Sequence, residues 1–191
     1  MNRMFVAVVP PESVIEDLDE FLSVRRDAAT FRWSTADQLH LTLAFAEHVP
    51  DRSLDDAIER LETAAGRRTP FEMSVTGGGA FPNVAEGKVL YAGVETDAGE
   101  ELDRVAAGAK NALVKAGVEV DGGRFRPHLT VARTGSPTEL SNWVRLLDAY
   151  RGPAWTVSSF DLVHSRLGEG PRKRPVYETV ATFPFGDGPL S

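Results

Sequence analysis

The feature that most constrains this chain is a six-residue segment that occurs twice, as His40-Leu41-Thr42-Leu43-Ala44-Phe45 and as His128-Leu129-Thr130-Val131-Ala132-Arg133. Both copies are rich in apolar and β-branched residues, lack proline and predict a β-strand. Strand side chains alternate between faces, so His and Thr two residues apart project from the same side. Leu41 and Leu43, like Leu129 and Val131, then point the other way, into a core. Each copy offers one imidazole and one hydroxyl to a common surface. A lone strand histidine is most simply a half-buried structural residue. The same pattern twice, in matching contexts, argues for a shared chemical purpose.

The elements around the two copies repeat as well. In the first half, Met4–Val9 reads as a strand, Ser13–Arg25 as an amphipathic helix and Phe31–Trp33 as a short extended piece. The first motif strand follows, then a helix over Asp51–Ala65 and a strand over Phe71–Thr76 that runs into Gly77-Gly78-Gly79. In the second half, Val89–Val94 reads as a strand, Ala98–Ala116 as a helix and Arg126–Arg133 as the second motif strand. Thr138–Tyr150 then reads as a helix, Trp155–Ser165 as one long strand and Val176–Phe183 as the last strand. Two units cannot propagate a solenoid, so the repeat predicts a pseudo-two-fold arrangement. No Ser/Gly/Pro linker separates the halves. The expectation is one domain over 1–191, internally duplicated, with halves of roughly 1–85 and 86–185.

Composition excludes several function classes. The 191 residues contain no cysteine, which removes disulfides, thiolate nucleophiles and cysteine metal sites. The net charge of −7 opposes broad adhesion to nucleic acid, which needs a basic field. Basic residues nevertheless gather near the second motif, at Arg124, Arg126 and Arg133, and again at Arg166, Arg172, Lys173 and Arg174. That supply suits one or two phosphates. Met1–Pro10 lacks the pattern of a signal peptide, and no stretch approaches the roughly 20 apolar residues of a membrane span. A cytoplasmic protein without membrane attachment is the expectation.

A pseudo-dyad would bring His40, Thr42, His128 and Thr130 to face one another across a cleft. Two imidazoles on either side of a substrate suit concerted acid–base catalysis near neutral pH. Two hydroxyls suit the non-bridging oxygens of a phosphate, with Arg133 as a charged donor. Two histidines are too few for a typical catalytic zinc site, and no nucleophile-elbow glycine pattern is present. The glycine run at 77–79 lacks the Lys-Ser/Thr helix of a phosphate loop. His48 and His164 lie outside the motif and read as surface or core residues, and Trp33 and Trp155 read as core. Arg172–Arg174 is most simply a solvated loop, and parity puts Arg126 on the same face as His128.

With these residues in view, the sequence resembles the two-histidine phosphoesterases, and among them the bacterial RNA 2',3'-cyclic phosphodiesterases, also called the 2'-5' RNA ligase family. That family carries two copies of His-x-Thr-x ending on a hydrophobic residue, matched here at His40 and His128. Arg32-Trp33, Gly79-Ala80-Phe81-Pro82, FRPHLTVAR, Ser165-Arg166-Leu167, Gly170-Pro171, Tyr177 and Phe183-Pro184 also look like that group. Ala46-Glu47-His48 departs from its frequent Leu-Gly-Glu. The resemblance implies an α+β, bilobal fold, with two pseudo-symmetric lobes, each an antiparallel sheet with flanking helices, around a central cleft. It implies metal-independent hydrolysis of RNA 2',3'-cyclic phosphate ends to 2'-phosphomonoesters, without a cofactor, by a monomer. His128 would be the base and His40 the acid, with Thr42, Thr130 and Arg133 on the phosphate and Phe45 stacked on the terminal base. Rival readings are 2'-5' RNA ligation, hydrolysis of a small cyclic nucleotide, and a non-catalytic nucleotide-binding module.

Overall fold

The apolar run after Asn2 forms the first strand, β1 (Asn2–Val8), and Pro10 and Pro11, which cannot donate to a ladder, follow its end. The computed structural model describes residues 2–186. Apolar residues at helical spacing give α1 (Glu12–Ser23), which buries Val14, Leu18 and Leu22. A short β2 (Arg32–Trp33) and a 3-10 turn at Ala36–Gln38 lead into β3 (Leu41–Val49). The chain continues through α2 (Asp51–Gly66), β4 (Phe71–Phe81), β5 (Gly87–Glu95) and α3 (Gly99–Lys115). It ends with β6 (Leu129–Thr138), α4 (Ser141–Asp148), β7 (Arg151–Val157), β8 (Ser159–Arg166) and β9 (Val176–Pro184).

The strands form one antiparallel sheet in the order β7-β4-β5-β6-β3-β1-β8-β9, with β2 added on β6. The mixed helix and strand content agrees with the expected class. At the middle of this order β6 and β3 meet through a single pair, Leu41 with Leu129, which are equivalent positions of the two motifs. Four strands of that order lie on each side of the seam, with β2 a fifth on the β6 side. The trace from Trp155 to Ser165 is two strands, not the one expected, because Ser158 interrupts it. β7 and β8 then sit at the first and seventh places of the strand order although only Ser158 separates them. A flat sheet could not accommodate so short a link, so the sheet curls.

The halves of the sheet are not the halves of the chain. β4 pairs with β5 and β7, while β8 and β9 return from the C-terminal end to β1. Helices exchange sides too: α1 follows β1 but packs on β7, and α3 follows β5 but packs on β3. The expected division near residue 85 therefore does not fall between the sheet halves. A duplication read along the sequence predicts sequential units, whereas pairing of the chain ends interleaves them.

Gly77-Gly78-Gly79 is not a phosphate cradle. Strand β4 continues through it to Phe81 with a bulge at Gly77, whose φ is +75°, and then pairs Gly78 with Ala92 and Gly79 with Tyr91. A Cβ on Gly78 would stand 2.4 Å from the Leu147 Cβ of α4, so the missing side chain lets that helix seat on the sheet. Gly78→Ala should accordingly destabilise the fold by about 1–3 kcal/mol, since both Cβ atoms are fixed by backbone. The check is the denaturation midpoint, which should fall with little change in the slope of the transition.

Candidate active site

Each motif histidine lies one residue before its strand begins, so ladder bonds do not hold it. A local bond does. The Nδ1 of His40 is 2.7 Å from the carbonyl oxygen of Gln38, and the Nδ1 of His128 is 2.6 Å from that of Arg126. A carbonyl only accepts, so both neutral imidazoles carry their proton on Nδ1 and leave Nε2 unprotonated. The same i−2 anchor in both copies gives the pair one tautomer. In the first copy Nε2 accepts from the Thr42 hydroxyl at 3.0 Å.

Strict alternation would send Phe45 and Arg133 to the core side, since each lies three residues beyond its threonine. The pairing shows otherwise. On β1, Ala7 faces Thr42 and the adjacent Val6 faces Ala44, leaving Leu43 extra. On β5, Tyr91 faces Thr130 and Leu90 faces Ala132, leaving Val131 extra. A β-bulge at the fourth motif position of both copies switches the strand's parity there. Consecutive buried residues, Leu43-Ala44 and Val131-Ala132, mark the switch. Phe45 and Arg133 thereby join Thr42 and Thr130 on the open face.

His40, Thr42, Phe45, His128, Thr130 and Arg133 all line one cavity of about 720 Å³. The sequence-predicted residues are thus brought together. Antiparallel pairing at Leu41 and Leu129 sets the two motifs head to tail, with His40 toward the Thr130 end and His128 toward the Thr42 end. His48 and His164 do not line this cavity, and Trp155 is buried as expected. Trp33 is also buried but edges the cavity. Arg126 supplies its carbonyl to His128, and its guanidinium stands 6.0 Å from the Phe81 ring centroid.

Other side chains around the imidazoles lie outside the two His-x-Thr segments. Phe5 stacks on His40 with ring centroids 4.5 Å apart, and Tyr177 meets the same imidazole edge-on at 5.5 Å. Phe81 and Tyr91 pack around His128 at 4.9 and 5.3 Å. Phe5 and Tyr91 could have been found only by knowing which strands flank the motifs. Arg3 and Arg32 join Arg133, Lys173 and Arg174 in the lining, against one acid, Asp121. Arg172 and Lys173 are exposed, as expected of a solvated loop, while Lys173 and Arg174 also line the cavity. Arg174 reaches across to the carbonyl of Trp33, and Arg32 donates to the carbonyl of Lys173 at 3.5 Å. These bonds fold the loop against the segment before the first motif.

Burial among aromatics costs a charged imidazole its hydration and sets the electrostatics of the pair. It lowers the His40 pKa to about 4, opposed by the Gln38 carbonyl and reinforced by the nearby charges of His128 and Arg133. Burial also lowers the His128 pKa, opposed by the Arg126 carbonyl and reinforced by Arg133. Burial therefore favours the neutral form of both imidazoles, in a cleft whose charged lining is mostly cationic. Among the described residues no cluster of three His, Cys, Asp or Glu side chains could hold a metal ion, and no helix is long and apolar enough to cross a membrane.

A family model described as the 2'-5' RNA ligase superfamily matches residues 10–169. The chain belongs to the 2'-5' RNA ligase superfamily. It is similar to the RNA 2',3'-cyclic phosphodiesterase of Thermus thermophilus, 32% identical over 184 residues, which is 95% of this chain and 89% of the relative. The enzyme of that name from Archaeoglobus fulgidus is 31% identical over 182 residues, 95% of this chain and 99% of the relative. Among solved structures, TT0787 of Thermus thermophilus superposes with a TM-score of 0.78 at 29% identity, covering 96% of this chain and 98% of that one. E. coli LigT complexed with 3'-AMP shares the fold, with a TM-score of 0.73 at 21% identity over 96% of this superfamily member and 98% of LigT.

The geometry predicts the titration of the pair. Both imidazoles should titrate below 6.5 in nitrogen-15 NMR, with Nδ1 protonated in the neutral form. Removing the positive charge in Arg133→Met relieves repulsion of both imidazolium forms, so both midpoints should move up. Midpoints left unchanged by that substitution would show that Arg133 does not face the pair.

Proposed function

We propose that this protein is an RNA 2',3'-cyclic phosphodiesterase that opens the cyclic phosphate to a 2'-phosphomonoester without a metal ion. The observation that carries this reading is the pair of imidazoles, each with Nε2 freed by the same Nδ1–carbonyl bond, in one cavity lined by cations. The names of the Thermus and Archaeoglobus relatives support the substrate. A cavity that takes one nucleotide fits the 3'-AMP held by LigT.

The pathway needs two proton transfers at one phosphorus. His128 Nε2 takes a proton from water, whose oxygen attacks phosphorus as the P–O3' bond breaks. His40 Nε2–H gives its proton to the departing O3', leaving a 2'-phosphomonoester and a free 3'-hydroxyl. Thr42, Thr130 and Arg133 hold the non-bridging oxygens, whose charge they oppose most strongly in the crowded transition state. The order of roles follows exposure. His128 is the more open of the pair and has access to water. His40 is the more desolvated, so an arriving phosphate anion raises its pKa the more, supplying the proton that the empty cleft withholds. Phe45, one face of which meets Arg3 at 4.7 Å, offers its base a platform built of ring and guanidinium.

Purified protein in EDTA, given a short RNA with a 2',3'-cyclic end, should yield a 2'-phosphate end. His40→Ala and His128→Ala should each lower kcat by about 10²–10⁴-fold, and the double variant far less than the product of the two, because the pair acts as a unit. Activity lost in EDTA and restored by one divalent metal overturns metal independence. The roles separate with the leaving group: an activated phosphodiester, whose leaving oxygen needs no proton, should rescue His40→Ala and not His128→Ala.

The pH dependence has a defined sign. In the free protein the acid loses its proton as pH rises through about 4, and the base becomes competent as pH rises through a value below 6.5. The bell in kcat/KM, which reports the free protein, should therefore centre on the acid side of 6.5, its limbs belonging to the coupled pair. Bound phosphate raises both values, so the bell in kcat should lie at higher pH. Coincident profiles would show that the substrate's charge does not reach the imidazoles.

A further inference from the structure

The cavity holds one feature that phosphate binding does not use. Asp121 lies in the loop between α3 and β6 and is the sole acid among the lining residues, opposite five cations. For an anion site a carboxylate is a liability, since it repels the ligand and weakens the field of the arginines. Yet no ion pair neutralises it among the described residues. Its backbone is tethered while the residue itself stays exposed: the Asp121 backbone N–H donates to the carbonyl of Phe45 at 3.0 Å. That bond ties the loop to the strand at the residue proposed to carry the base. The neighbouring Gly122 and Gly123 have open space around them, so the loop can settle against a ligand.

We infer that Asp121 reads the terminal base and favours guanine, an inference that rests on the proposed nucleotide substrate and deepens it. A carboxylate only accepts hydrogen bonds. Guanine presents two adjacent donors, N1–H and the N2 amino group, at the spacing of the two carboxylate oxygens. Adenine and cytosine each offer one amino group on the equivalent edge. Uracil offers a single N3–H flanked by two carbonyl oxygens, which a carboxylate repels. The order is therefore guanine first and uracil last. A site that hydrogen-bonds a substrate rejects the analogue lacking the partner because its own group is left unpaired.

The test compares the four nucleoside 2',3'-cyclic phosphates in kcat/KM, with the wild-type protein and with Asp121→Ala and Asp121→Asn. Guanosine should exceed uridine by about 10- to 100-fold in the wild type. Asp121→Ala should bring the four substrates together, chiefly through KM for guanosine. In Asp121→Asn, whose amide keeps one acceptor and adds a donor, the guanine preference should shrink and uridine should gain. Four equal substrates in the wild type, or a guanine preference that survives Asp121→Ala, overturns the role of Asp121. Calorimetric binding of the four nucleoside 2'-monophosphates reads the same contact without turnover. Guanine-selective binding that depends on Asp121, with no hydrolysis of any cyclic substrate, overturns the hydrolase and leaves the base reading standing. Binding without selectivity overturns the base reading.

Discussion

The Leu41–Leu129 pair is the contact on which the site depends. It joins the two halves of a curled sheet, and it joins them at equivalent points of the repeated motif. Both leucines are fully buried, so the seam is held by exclusion of water as well as by its backbone bonds. A histidine next to such a residue has little freedom at its Cα. The Nδ1–carbonyl bond removes most of what remains at the ring. Position comes from the core and orientation from a local hydrogen bond, the same way in both copies.

The two bulges do a second job at little cost. A strand that alternated strictly could present His and Thr to the cleft but would bury the residue three further on. One extra residue in each strand turns Phe45 and Arg133 outward without moving Leu41 or Leu129. The two copies then diverge by chemistry at one structural position. One brings a ring with a guanidinium above it, the other a guanidinium itself. A repeated motif thereby presents an aromatic ring from one copy and a guanidinium from the other to the same cleft.

What could be read from the chain followed the range of the interaction involved. His40, Thr42, His128 and Thr130 were legible because a two-residue spacing is local and occurs twice. The helices were legible from their apolar period, within two or three residues at most ends. The glycine run was ambiguous, since glycine makes room as readily for Leu147 as for a phosphate, and only tertiary packing distinguishes the two. Phe5, Tyr91 and Arg3 were hidden because each reaches a motif through pairing of strands distant in sequence, and Asp121 because a single backbone bond ties its loop to Phe45. The interleaving of the sheet halves was hidden likewise, because β8 and β9 choose β1 over nearer strands.

The same cleft resolves an apparent conflict between an acidic chain and the anionic substrate proposed for it. With a net charge of −7 the molecule as a whole repels RNA, and half of its 28 acids lie on the four α-helices. The cations that matter converge from β1, β2, β6 and the loop before β9. Such a field is strong over a few ångströms and screened beyond about 10 Å at ordinary salt. It rewards a phosphate that enters the cavity and gives little to a duplex passing outside. Burial of the imidazoles works in the same direction. Charging them in the empty cleft is costly, and a bound phosphate is what removes that cost. In the proposed mechanism the pair is thus primed to become an acid and a base only when the phosphate is bound.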